Sequence, residues 1–201
     1  MTFLLLLRHA PTAWNEARRI QGRTDEPLSE KGRGLAAEWS LPGCFGDLSW
    51  TSSPLARCRE TARLMGGGDV AVEPRLIEMA WGAWEGRTLD SLRREHGAAM
   101  DANEARGLDF TPPGGESPRM VQMRLLPYFA RVAAEARPRI AVTHRGVIRA
   151  TVALASGWDM KAGAPVKIAR YAAHLFSLSP AGMPRIERLN IPLQPPPAGA
   201  A

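Results

Sequence analysis

Apolar positions along this chain fall into short runs that stop abruptly at polar residues, and the runs alternate with stretches of helical spacing. Thr2 to Leu7 has no polar face, which suits a central strand buried on both sides, and it ends in Arg8-His9-Ala10-Pro11. A second run, Leu48 to Thr51, ends in Ser52-Ser53-Pro54 and opens a helix through Met65, with Ser53 as N-cap and Pro54 in the first helical position. The third, Ile140 to Thr143, ends in His144-Arg145-Gly146 before a helical stretch, Val147 to Ala155, closed by Gly157. Strands alternating with helices predict an α/β sheet with crossover helices.

Between these runs the pattern predicts a helix from Glu30 to Ser40, introduced by Leu28-Ser29. A turn-rich segment, Trp81 to Gly86, precedes a helix over Leu89 to His96 and a loop over Thr111 to Ser117. From Pro118 to Arg137 the spacing of Met120, Met123, Leu126 and Phe129 predicts one apolar helical face, with a kink at Pro127. Tyr171 to Leu178 and Ile186 to Leu189 read as late strands. Residues 1–191 form one domain in this reading, and the proline-rich stretch 192–201 an unpacked tail.

Composition narrows the class. At 201 residues, 45% apolar and 23% charged, the chain fits one ordinary globular domain. The opening apolar run, Phe3 to Leu7, is too short for a membrane span or a secretory signal, so a cytoplasmic protein without membrane partners is expected. Two cysteines, Cys44 and Cys58, and four histidines offer neither a disulfide framework nor a metal knuckle. No metal and no cofactor is expected. The formal charge is +6, and all but three of the 26 basic residues are arginines, which suits nucleic acid or a phosphorylated partner. The arginines are dispersed and no basic arm stands out.

Candidate chemistry gathers where the strands end. In an open α/β sheet, ligands sit beyond the carboxyl ends of the parallel strands. Arg8 and His9 end the first run, Arg57 lies in the first turn after the second, and His144 follows the third. Two arginines and two histidines on one rim make an anion pocket matched to a phosphate monoester. His96 and His174 have no such setting and read as structural.

These residues resemble the histidine phosphatase superfamily in its phosphoglycerate-mutase-like branch. The resemblance runs from Leu7-Arg8-His9-Ala10-Pro11-Thr12-Ala13-Trp14-Asn15 through Gln21-Gly22-Arg23-Thr24-Asp25, Pro27 to Gly32 and Ser52 to Arg57 with Thr61-Ala62. It continues with Glu78 ahead of Gly82 to Gly86, then Pro113 to Ser117 and Thr143-His144-Arg145-Gly146. It implies a single three-layer domain, a mostly parallel central sheet with helices on both faces. It also implies phosphoryl transfer without metal, with His9 as nucleophile and Arg8 and Arg57 on the non-bridging oxygens. His144 would donate to the transferred group, and Asn15 with the Gln21-Gly22 backbone would complete the cradle.

Glu78 matches the family's general acid, with Glu85 as rival across a glycine-rich turn. The chain departs from the commonest family pattern at Ala10-Pro11 and at Arg145, which either adds a cation at the substrate mouth or points away. Cys58 reads as a reduced packing residue and Trp81 and Trp84 as turn packing. Between Glu78 and His144 there is little room for the basic insertion of a mutase, and Gly97 to Gly115 holds one arginine, Arg106. A phosphomonoesterase acting on a small phosphorylated metabolite is therefore expected, similar to alpha-ribazole phosphatases and mutase-like broad phosphatases. The alternatives are a phosphoglycerate mutase and, from another class, a noncatalytic phosphate- or RNA-binding module. Nucleic acid is not an expected partner, and a homodimer is left open.

Overall fold

The computed structural model describes residues 1–45 and 48–193. Its strands are β1 (Thr2–Arg8), β2 (Ser49–Ser52), β3 (Val70–Val72), β4 (Arg139–Thr143), β5 (Ala172–Leu178) and β6 (Pro184–Pro192). They form one sheet in the order β3-β2-β4-β1-β5-β6, parallel from β3 to β1 and antiparallel at β5 and β6. The helices are α1 (Ala13–Glu16), α2 (Glu30–Glu38), α3 (Ala56–Leu64), α4 (Leu89–His96), α5 (Ala98–Glu104), α6 (Pro118–Glu135) and α7 (Arg145–Ser156).

The period of two in β1 builds the three layers. Leu4 and Leu6 enter a core shared with Leu125, Phe129 and Val147 of α6 and α7, whereas Leu5 and Leu7 enter one with Cys58 and Ala62 of α3. All four leucines are fully buried, as expected of a strand covered on both faces.

Several local expectations are corrected. α3 begins at Ala56 behind Leu55, which supplies no side-chain cap; Asp25 Oδ1 accepts the Ala56 N–H at 2.8 Å from 31 residues upstream. Ser53 is therefore not the cap. α6 buries Val121, Leu125, Tyr128, Phe129 and Val132, leaving Met120 and Met123 exposed, so its inner face is rotated by about one position from the methionine spacing. Gln122 disguised that face, because a buried amide is tolerated where its Nε2 donates to Ala150 O at 3.1 Å. Pro127 does not end the helix. It lies on the exposed side, where water can serve the carbonyl that proline leaves unpaired. β3 and α5 carried no sequence expectation.

β6 runs to Pro192, which pairs with Ala172, and Leu193 packs against the core, so the tail does not begin at 192. Its remainder, 194–201, lies outside the described residues. Among the described residues no helix is long and apolar enough to cross a membrane.

Candidate active site

Three parallel strands end side by side, and their ends supply the site. His9 N–H donates to Thr143 O at 3.0 Å and Ser53 N–H to Val142 O at 2.9 Å, tying the exits of β1 and β2 to β4. His144 follows at once, and its ring centroid stands 5.2 Å from that of His9 at 61°. Arg57 arrives from the first turn of α3, fully buried.

His9 Nδ1 lies 2.7 Å from Ala10 O. A carbonyl only accepts, so the proton sits on Nδ1 and Nε2 carries the free lone pair. His144 Nε2 lies 2.7 Å from Ser53 Oγ and 3.4 Å from Cys58 Sγ, while Nδ1 lies 3.8 Å from the same sulfur. Burial holds both imidazoles well below the usual histidine range. The cations Arg8 and Arg57 push His9 further the same way, and Arg57 and His9 do so for His144. Both rings are therefore neutral at pH 7.

The two guanidiniums are held differently. Arg57 donates from Nη1 to Thr24 O and from Nη2 to Gly22 O, each at 2.8 Å, so it clamps the 22–24 loop over the rim. Burial lowers Arg8 to about 10, opposed first by nearby Glu78, and it remains charged. The Nε atoms of both arginines, and Gln21 Oε1, are buried with no hydrogen-bond partner among the described residues. Buried donors without partners are costly, and two of them beside a lone-pair nitrogen make a site built for an oxyanion.

The two carboxylates separate cleanly. Glu85 accepts from Arg23 N and Thr24 N at 2.9 Å, Thr24 Oγ1 at 2.6 Å and Trp81 N at 3.1 Å, and these donors hold it below the usual carboxylate range against burial. It braces the loop. Gly22 has φ +53°, and a Cβ there would collide with Glu85, so glycine is required on two counts. Glu78 accepts from Met79 N at 2.9 Å and from Gly146 N, in the first turn of α7, at 3.2 Å. A Cβ at position 146 would collide with Glu78 Oε1.

Asn15 Oδ1 accepts from Thr12 N at 3.2 Å in the capping box of α1, which leaves the amide NH₂ as its donor. Gln21 is buried, and the Gly22 carbonyl is engaged by Arg57. Arg145 lines a cleft together with Arg8. His96 stacks on Trp84, and buried His174 accepts at Nδ1 from Asn190 N at 3.2 Å. Ser53 and Cys58, as partners of the His144 ring, were missed. The only sequence signal was their place at the end of β2 and in the first turn of α3.

Three buried neutral histidines make stability depend on pH. His9, His144 and His174, the last pushed down to about 4 by burial, stay neutral in the fold, whereas the unfolded chain protonates them near 6.5. Below that value the unfolded state binds more protons, so stability falls as pH falls, by about 1.4 kcal/mol per pH unit for each histidine. Between pH 6.5 and 5.5 the three together are expected to cost roughly 2–4 kcal/mol, read as a lower urea midpoint. A midpoint constant from pH 7 to 5 would contradict the assignment of neutral rings.

The sequence matches the histidine phosphatase superfamily (branch 1) over residues 4–192. It is 33% identical over 157 residues to a 2,3-bisphosphoglycerate-dependent phosphoglycerate mutase of Parvibaculum lavamentivorans, covering 73% of each chain. A probable phosphoglycerate mutase GpmB of Cronobacter sakazakii is 36% identical over 129 residues, 62% of this chain and 60% of that one. Among solved structures, mycobacterial glucosyl-3-phosphoglycerate phosphatase complexed with VO3 superposes with a TM-score of 0.76 at 29% identity, covering 96% of this chain and 98% of that one. YhfR of Bacillus stearothermophilus superposes with a TM-score of 0.78 at 28% identity, over 93% and 96%.

Proposed function

Because the chain belongs to the histidine phosphatase superfamily, we propose that it is a phosphomonoesterase that works through a phosphohistidine on His9 Nε2. The observation that carries this reading is the Nδ1 contact to Ala10 O, which leaves a neutral imidazole with its lone pair on Nε2 within electrostatic reach of Arg8 and Arg57. In the first step Nε2 attacks phosphorus, the P–O ester bond breaks, and Glu78 gives a proton to the departing alkoxide. In the second, Glu78 takes a proton from water as that water attacks phosphorus. The P–N bond then breaks, its electron pair returns to Nε2, and inorganic phosphate leaves.

Arg8 and Arg57 hold the non-bridging oxygens through both steps, joined by the Asn15 amide and by His144, whose Ser53 contact fixes its ring. Each Glu78 oxygen accepts a single backbone N–H, so one lone pair on each remains for the transferred proton.

Among the described residues no group of three or more His, Cys, Asp or Glu side chains is placed to hold a metal. The guanidiniums do the work of neutralising phosphate. Hydrolysis of sugar phosphates, nucleotides and p-nitrophenyl phosphate is therefore expected to continue with a chelator present. Activity lost to the chelator and restored by Mg²⁺ or Zn²⁺ would oppose this mechanism. The mutase reading has the names of sequence relatives behind it. Conversion of 3-phosphoglycerate to its 2-isomer without release of phosphate would establish it instead.

A further inference from the structure

Arg8 also lines a cleft of about 570 Å³ whose walls include none of His9, Arg57, Glu78 and His144 but do include Arg145 and Arg149 of α7 and Lys167 and Arg170 of the segment before β5. Ile148 and Ile168 add apolar wall, and no acidic residue lines it. The volume is within the range of sites that take organic ligands.

The charge here is uncompensated. Among the described residues the side chains of Arg145, Lys167 and Arg170 have no ion pair or hydrogen bond, and no carboxylate shares the cleft with them. Arg149 lies with its guanidinium 4.9 Å from the Trp158 ring centroid, which stacks it without neutralising it. Arg145 and Arg170 are close enough to Arg8 to act on it as like charges. Gathering five cations around one cleft is electrostatically unfavourable unless an anion joins them.

We propose that this cleft binds a second anionic group, a phosphate or a carboxylate, on the alcohol part of the substrate, with Arg145, Lys167 and Arg170 as its specificity-determining residues. The inference rests on the phosphomonoesterase reading. Arg8, a member of the phosphoryl site that also lines the cleft, would bridge the scissile phosphoryl group and the second anion. A dianionic phosphate balances the four flanking cations better than a single carboxylate, and guanidinium forks accept either.

The test compares kcat/KM for two substrate pairs that differ in the second anion: fructose 1,6-bisphosphate against fructose 6-phosphate, and 3-phosphoglycerate against glycerol 3-phosphate. The native protein is expected to favour the doubly anionic member by ~10-fold or more, with the larger ratio in the bisphosphate pair. Arg145 and Arg170 are exposed, so Arg145→Gln/Arg170→Gln removes charge without disturbing packing, and the ratio should fall by ~10-fold. Native ratios near one, or ratios unchanged in the double variant, overturn the assignment.

Calorimetric titration of the same four compounds into His9→Ala separates the two claims. If the native protein hydrolyses none of them, nor nucleotides or p-nitrophenyl phosphate, and His9→Ala still prefers the doubly anionic members, the phosphomonoesterase reading fails and the cleft assignment stands. If hydrolysis proceeds and the titrations show no preference, the reverse holds.

Discussion

His9→Ala is expected to lose turnover on every phosphomonoester by at least ~10⁴-fold, because nothing within reach can replace Nε2. His144 is the nearest other imidazole, but its Nε2 is engaged by Ser53 Oγ at 2.7 Å. Cys58 touches that ring as well, and burial pushes its thiol far above the usual range, so it stays protonated and poorly nucleophilic. The measurement is acid-labile, alkali-stable labelling of the native protein by a phosphate-labelled substrate, alongside steady-state rates. Full labelling and turnover in the variant would exclude His9 as the phosphoryl acceptor. A stability comparison guards against trivial loss: removing a buried imidazole leaves a polar cavity at the edge of the sheet, whose cost should lie within the ordinary 0.5–3 kcal/mol of single substitutions.

Glu78→Gln carries the next largest effect and has a signature of its own. A basic alkoxide must be protonated as it departs, whereas p-nitrophenolate leaves nearly unaided. Single-turnover phosphorylation by an alkyl phosphate should slow by ~100-fold or more, and by p-nitrophenyl phosphate much less. Steady-state rates should fall on both, since the same carboxylate activates water in the second step. Glu85→Gln is the contrasting variant. Glu85 is engaged by three backbone N–H groups and a hydroxyl, so its amide would release the 22–24 loop that Arg57 also holds, slowing both substrates alike. A leaving-group-dependent loss at Glu85 with none at Glu78 would reverse the two roles.

Arg8, His9, Arg57 and His144 were legible in the chain because parallel strands share one exit edge, so residues directly after three short apolar runs had to meet there. Glu78 was not legible in that way. It lies in no periodic element, and its anchorage to Gly146 joins positions 68 apart, so only the family resemblance marked it. Ser53 was misread for a related reason. Ser-Pro before a helix is the ordinary sign of a cap, but the true cap is a distant aspartate, and the serine hydroxyl turns to His144. The inner face of α6 failed differently. Apolar residues cover more than half its circumference, and periodicity cannot choose between Met120-Met123 and Val121-Leu125 when both registers are apolar. Of the cationic cleft only Arg145 was marked in the chain, as a departure from the family pattern, because Arg8 and Arg145 reach the cleft from strand ends and Lys167 and Arg170 from a loop.

The pairing of β1 with β4 sets the order of events during synthesis. Leu4 pairs with Arg139 and Arg8 with Thr143, so the first strand made waits for partners encoded about 135 residues later. At 5–20 residues per second that interval is roughly 7–27 s, during which four consecutive leucines have no parallel partner to cover their edge. A ribosome-bound chain halted before residue 139 should therefore expose Leu4 to Leu7 to hydrophobic-segment chaperones. It should also be unable to retain phosphate, whereas release past β5 should end both conditions together, because closure of the sheet and assembly of the rim are one long-range event.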